Sequence, residues 1–457
     1  MNLLVKDKCF YKKMAVIAIP ISLQSMITIG VNMTDTVMVG KLGETSLSAT
    51  ALANQFVNIY QICCMGIAMG ASVLTSRFWG MQDITSLKKT ITLMLRLCIV
   101  LAVLFMLPTI LIPQLLMRMY TNDSVVIAQG VQYFKWMVYC YFLQGMTMTC
   151  TIVLRSVGQV NFPLFTSIGS FFVNILFNYM FIFGKLGVPR MEVEGAGVGT
   201  LIARVFEFLL ICGYFLFVDR KIGYRLKNLR MKCNSLIKDY VSISIPVFVS
   251  DSLLALGTSA VAMVMGRIGT GFVSANSITV VTQQLTTVII QGICHASCIM
   301  TGHTLGHGER EKAQQQAWTF LILGLVVGIL GGGLIKVLSR PIIGLYNITP
   351  ETAQIAGELM DAIAFIVIFQ SMNSILTKGV LRGGGDTKFL MVADIIFLWA
   401  ASLPLGILAG LVWHLDAFWI YVFLKIDQIC KSIWCVFRLR SGKWIKTFSK
   451  EKMNHAQ

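Results

Sequence analysis

Apolar runs of about twenty residues follow one another along this chain almost without a break, and no other feature restricts its fold as strongly. A helix of about 20 residues, rising 1.5 Å per residue, crosses the hydrocarbon core of a bilayer. By that measure the 457 residues contain twelve candidate spans. The first six lie near 14–39, 49–76, 90–116, 128–153, 163–184 and 196–218, and the second six near 241–265, 275–302, 316–338, 354–380, 388–412 and 418–437. Little is left for a soluble domain: 13% of residues are charged, against about 25% in soluble chains. The expected fold is an all-α polytopic membrane protein of two pseudo-symmetric six-helix lobes. That excludes a cytosolic enzyme, a nucleic-acid-binding domain and a disulfide-stapled secreted module. Of the 12 Cys, many sit inside apolar runs (Cys63, Cys64, Cys140, Cys150, Cys212), as small buried hydrophobes do. Met1–Lys13 reads as a short basic leader running into the first span, with no small-residue cleavage site.

The net charge of +17 invites a polyanionic partner, but the placement of the charges argues otherwise. With the N-terminus inside, the inner connections hold 26 Lys and Arg and the outer ones seven; five (Arg96, Lys135, Arg204, Lys425, Lys431) lie within spans. Such asymmetry puts both termini in the cytoplasm of a cell-membrane protein and requires no nucleic acid. On this reading Thr45 and Asn347 face outward and Asn228 faces the cytoplasm.

The longest polar stretch, Asp219–Asp239, carries seven Lys/Arg. It divides the chain into an N-terminal lobe (1–218), a basic linker (219–240), a C-terminal lobe (241–437) and a basic tail (438–457). An offset of 226 brings Pro20 onto Pro246, Gly40 onto Gly266, Gly43 onto Gly269, Gly66 onto Gly292 and Gly80 onto Gly306, with Asp83 on Glu309. At 227, Leu154-Arg155-Ser-Val-Gly158 meets Leu381-Arg382-Gly-Gly-Gly385. The matches fall mainly on Gly and Pro, the residues that mark backbone geometry. Six spans per repeat make the halves parallel, an arrangement common in secondary transporters with the site between the halves. No G-x-x-x-x-G-K-[ST] is present, so no P-loop ATP motor is expected. Gly383-Gly-Gly-Asp386 reads as a turn.

Ionisable residues within spans are costly and are functional candidates by default. Asp35 lies in span one, about 6–8 Å from its outer end by helical rise. Asn174 and Asn178, four apart on one face of span five, and Thr200 at the start of span six fall at compatible depths. These four could form an oxygen cage for a small hard cation, a carboxylate tuned for proton carriage, or polar glue between helices. In the C-terminal lobe, Asp251 and Asp427 both fall near mid-depth and could meet as a relay, although Lys425 and Lys431 flank Asp427 and equally suit a structural ion pair. Asp361 and Asp394 fall near the interfaces, where functional readings are weak. Arg204 and Glu207, three apart, look like an intrahelical pair. Cys294, His295, Cys298, His303 and His307 have metal-like spacing, but nothing else converges on them, and no metal is expected. No Ser-Lys, paired-Asp or H-E-x-x-H constellation falls within the spans, so no enzyme is expected.

Pro20…Asp35-Thr-Val-Met-Val-Gly40-Lys-Leu-Gly43, Leu154-Arg155-Ser-Val-Gly158, Asn174-Ile-Leu-Phe-Asn178…Phe183-Gly184, Glu194-Gly195-Ala196-Gly-Val-Gly-Thr200 and Arg440-Ser-Gly-Lys-Trp444, in that order, resemble the multidrug and toxic compound extrusion (MATE) transporters of bacterial type. The resemblance implies a monomeric antiporter without cofactors that expels cationic, amphiphilic drugs from the cell in exchange for H⁺ or Na⁺. It matches Asp35 to the family's coupling-ion aspartate, with Asn174 and Asn178 as partners and Thr200 as the span-six hydroxyl. One branch of the family carries carboxylates in spans seven and ten, where register places Leu254 and Asn373. With Asn178 where some members have Asp, the cage holds a single charge, which favours H⁺ as the coupling ion. The alternative is a flippase for lipid-linked precursors of a related superfamily. It calls for more spans or a cavity rich in cations, and the intramembrane Lys and Arg here are few and scattered.

Overall fold

The computed structural model describes residues 4–185, 187–344 and 348–447, so Asn347 and the tail beyond Thr447 lie outside it. Every regular element among the described residues is a helix. Eleven are long and apolar enough to cross a membrane. They are α1 (Lys8–Gly40), α2 (Glu44–Gly80), α3 (Ile84–Leu111), α4 (Ser124–Ser156), α5 (Asn161–Phe183), α6 (Glu192–Val218), α7 (Asn234–Ile268), α8 (Thr270–Gly306), α9 (Arg310–Ile343), α10 (Pro350–Leu381) and α11 (Thr387–Val412). Large apolar side chains stay exposed along them, such as Val100, Leu104, Leu107 and Leu111 on α3 and Leu330 and Val337 on α9. A soluble protein rarely exposes so continuous an apolar surface, whereas lipid accepts it.

The twelfth expected span differs. It is broken at Lys425 (φ −122°) into α12 (Ala417–Leu424) and α13 (Ile426–Arg440), of 8 and 15 residues. The physical cause is local. The hydroxyl of Ser402 donates to the Leu424 carbonyl at 2.6 Å, taking up an acceptor that the break leaves without its helical partner. Beyond the break, α13 buries Asp427 and Lys431.

Two compact units divide the chain. One comprises Leu23–Thr75 and Asp83–Ser244; the other comprises Ile245–Gln457 with Met1–Ser22 and Ser76–Gln82. In the first, Tyr60 and Tyr141 pack edge-on at 5.0 Å between centroids, and the Tyr60 hydroxyl donates to the Tyr141 carbonyl at 2.5 Å. A Cβ at Gly145 would collide with that hydroxyl, so glycine is what lets α4 come this near to α2. In the second unit, Gly328 and Gly332 perform the same service between α9 and α10: a Cβ at Gly328 would lie 2.8 Å from Ile368 Cα. Close helix contact through small residues is the usual means of association where lipid removes the hydrophobic driving force.

The offset read from the sequence persists in the backbone. α2 and α8 are both 37 residues long, and their first residues, Glu44 and Thr270, are 226 apart. Asp83 and Glu309 occupy the N-cap positions of α3 and α9, with Asp83 accepting from the Ser86 amide at 3.0 Å. Gly158 and Gly385 take left-handed φ of +80° and +87°, a conformation open to glycine at no steric cost.

Candidate functional site

Asp35 sits on α1 between two threonines whose hydroxyls turn back onto their own helix, Thr34 to the Gly30 carbonyl and Thr36 to that of Asn32, both at 2.8 Å. The carboxylate is therefore the polar group this turn can offer to a neighbour. Its partner is on α5: Asn178 Nδ2 donates to Asp35 Oδ1 at 2.6 Å and to Asn174 Oδ1 at 3.2 Å. Asn174 and Asn178 stack one turn apart and are both buried. The Asn178 Oδ1 is buried without a hydrogen-bond partner among the described residues. Thr200, on α6, lines the same cavity without a hydrogen bond to the other three. The structure thus places Asp35, Asn174 and Thr200 on one cavity wall, and Asn178 joins Asp35 to Asn174.

The glycines of Glu194-Gly195-Ala196-Gly-Val-Gly-Thr200 explain how α6 comes so near. A Cβ at Gly199 would collide with Asn178 Oδ1, and one at Gly195 would lie 2.6 Å from the Phe181 carbonyl carbon. The cavity has a volume of about 370 Å³, within the range of small-molecule pockets. Its wall includes residues that the sequence reading passed over. Asn54, Asn58 and Gln61 on α2 face it, and Tyr133 donates to Asn54 Oδ1 at 3.1 Å. Their spacing of four and three was the available signal. Arg204 and Glu207 do form the expected intrahelical pair, at 2.9 Å, but they too line this cavity. Farther along, Gln24 donates to the Ser167 hydroxyl at 2.8 Å and accepts from Arg155.

The C-terminal acids are arranged differently. Asp251 and Asp427 do not share a partner. Asp251 is clamped by Arg382, which donates through Nη2 at 3.0 Å and Nη1 at 3.4 Å. Asp427 pairs with Lys431 one turn on, at 3.0 Å, and accepts from Gln428 at 2.7 Å. Lys431 also holds Asp394 at 3.1 Å. Asp394, placed near the inner interface by the sequence, is buried among side chains and accepts from Ser250. Asn373 donates to Gln428 Oε1 at 2.7 Å, extending this network. Asp361 pairs on the surface with Lys336 at 2.5 Å. Cys294 and Cys298 are buried, and among the described residues no His, Cys, Asp and Glu gather as a metal site.

The MatE family model matches residues 20–180 and 246–429, one block in each half. The Uncharacterized transporter YisQ of Bacillus subtilis is 25% identical over 423 residues, covering 90% of each chain. The Probable multidrug resistance protein NorM of Thermotoga maritima is 24% identical, over 95% of this chain and 93% of its own. A crystal structure of a Vibrio cholerae MATE transporter superposes with a TM-score of 0.86 at 16% identity, covering 95% of this chain and 97% of that one. The matched model spans both halves of the repeat and most of the chain, and on that ground the chain belongs to the MatE family, the multidrug and toxic compound extrusion transporters.

Proposed function

We propose that this protein is a secondary antiporter that expels cationic, amphiphilic drugs and toxic compounds in exchange for protons. It crosses the cell membrane twelve times, with α12 and α13 together as the last span and both termini in the cytoplasm. It works as a monomer by alternating access between its two six-helix halves. The single observation that carries the reading is Asp35: a carboxylate inside a membrane-spanning helix, on a cavity wall, touching an amide and no cation among the described residues. Such a group changes charge by taking up a proton or a cation without stranding a partner. Family membership and the multidrug-resistance names of relatives such as the Thermotoga NorM support drug efflux.

The choice of H⁺ over Na⁺ rests on the orientation of Asn178. Its amide nitrogen, a donor, faces Asp35, where a Na⁺ cage needs oxygen. The test is an efflux assay in a drug-sensitised bacterial host. Retention of cationic fluorescent dyes falls on expression and recovers with a protonophore; unchanged retention over a broad dye panel refutes the reading.

A further inference from the structure

Every exposed charge on the linker that follows α6 is positive. Its two acids, Asp219 and Asp239, are buried. Asp219 is used up locally, accepting from the Ile222 amide at 3.0 Å and from Gln159 at 2.8 Å. Arg220, Lys221, Lys227, Arg230, Lys232 and Lys238 are exposed, and none of them forms an ion pair among the described residues. The linker is also held in a defined place. Lys88, Thr92 and Arg96, four apart on one face of α3, follow it residue by residue. A Cβ at Gly223 would lie 3.7 Å from Lys88 Nζ. The Thr92 hydroxyl meets that of Tyr224 at 2.9 Å and donates to the Asn228 carbonyl at 3.1 Å. Arg96 donates through Nη2 to the carbonyls of Leu229 and Met231. From Lys88 to Arg96 the linker thus tracks about 12 Å of α3, and it stops where the lipid-facing side of that helix starts, at exposed Leu97, Val100 and Leu104. Along the way it exposes Leu226, at 54%, next to Lys227. An apolar side chain among exposed cations is the composition that settles at the surface of an anionic bilayer.

We propose that this linker is a binding surface for anionic phospholipid headgroups, with Lys227, Arg230 and Lys232 taking the phosphates and Leu226 entering the acyl boundary beside them. Charge alone would suit any polyanion, and position is what selects lipid. Cations strapped beside the first lipid-facing side chains of α3 stand in the layer that headgroup phosphates occupy, where a soluble nucleic acid or acidic protein does not reach. Arg96 keeps the linker at that level by spending its guanidinium on two linker carbonyls. Each Lys or Arg near an anionic membrane surface strengthens attraction roughly fivefold, so three unpaired cations select an anionic headgroup over a zwitterionic one. The inference goes beyond the antiport reading and is independent of which ion is coupled.

The test is native mass spectrometry of the purified full-length protein in detergent, given equal amounts of dioleoylphosphatidylglycerol and dioleoylphosphatidylcholine. The wild type should retain the phosphatidylglycerol in preference. Lys227→Gln/Arg230→Gln/Lys232→Gln should cut that preference about tenfold or more. Lys227→Arg/Arg230→Lys/Lys232→Arg keeps the charge and should keep the preference. Lys6→Gln/Lys13→Gln/Arg310→Gln removes the same charge from a different basic surface, a groove at the start of α9, and should leave the preference nearly unchanged. A wild type that retains both lipids alike overturns the inference. So does an equal loss in the two charge-removing variants, because the preference then follows net charge and not the linker, and so does a loss in the charge-keeping variant.

Discussion

Lys431 provides the sharpest test of how the C-terminal unit tolerates charge. Its side chain is 2% exposed and bridges Asp427 at 3.0 Å and Asp394 at 3.1 Å. Replacing it with Met keeps most of the volume and removes the ammonium, so two carboxylates lose their cation in a site that water does not reach. Removing one partner of a buried pair costs about 3–5 kcal/mol. Here one ammonium serves two acids, which puts the expected loss at the upper end, about 5 kcal/mol. At about 1 °C per kcal/mol for a chain of this length, that lowers the melting temperature by roughly 5 °C. The assay is thermal unfolding in detergent with a thiol-reactive fluorophore, since the cysteines of this unit, Cys294, Cys298 and Cys435 among them, are buried in the fold. Adding Asp394→Asn and Asp427→Asn to Lys431→Met removes the stranded charges and should return most of the loss, because the three side chains act as one network. A Lys431→Met protein that melts with the wild type would refute the view that this ammonium makes the two buried acids tolerable.

Four further outcomes are expected. Asp35→Asn, nearly isosteric and lacking only the titratable charge, abolishes dye efflux while the protein reaches the membrane in normal amount; retained efflux moves the coupling site elsewhere. Gly199→Ala drives a methyl into Asn178 Oδ1 and should cost about 1–3 kcal/mol by overpacking, visible as a lowered melting temperature together with reduced efflux. In a background without native cysteines, Thr45→Cys is labelled by an impermeant thiol reagent from outside intact cells, and Asn228→Cys is labelled only after they are opened; outside labelling of Asn228→Cys reverses the orientation. In liposomes given one gradient at a time, ΔpH alone drives drug movement, whereas movement driven by Na⁺ at zero ΔpH, unaffected by a protonophore, refutes proton coupling.

Much of this was legible in the sequence because membranes reward a simple pattern. Long apolar runs located eleven of the helices, and the repeat at 226 anticipated the equal lengths of α2 and α8 and the shared caps Asp83 and Glu309. Asp35, Asn174 and Asn178 were legible because a carboxylate and two amides four apart stand out against apolar neighbours. What stayed hidden was pairing across helices. Depth along a span places Asp251 and Asp427 at similar heights, but it says nothing of rotation about the helix axis. Rotation is what gives Asp251 to Arg382, whereas the Asp427–Lys431 pair, one turn apart on one helix, was already a reading the sequence offered. Counting residues gives the depth of Asp394 but not its partners, Ser250 and Lys431, which reach it from other helices. The break at Lys425 was equally invisible, since the hydroxyl that supports it belongs to Ser402 on a different helix.

The two halves share a frame but differ in charge, and the difference bears on where coupling can occur. At the end of the fourth helix of each half an arginine reaches back to the first: Arg155 to the neutral amide of Gln24, Arg382 to the carboxylate of Asp251. The same geometry thus carries an ion pair in one half and a charge–dipole contact in the other. Asp251, Asp394 and Asp427 all touch a cation at 3.0–3.1 Å. Protonating Asp251 would leave a buried guanidinium unpaired, and protonating Asp394 or Asp427 would take from Lys431 one of its two counter-charges. Asp35 meets the amides of Asn178 and Asn174 and forms no ion pair among the described residues, so its neutralisation leaves no contacting cation behind. Under the proposed antiport, the duplicated fold therefore uses its halves unequally: the C-terminal acids brace their helices, and the coupling charge belongs to the half that pairs its arginine with an amide.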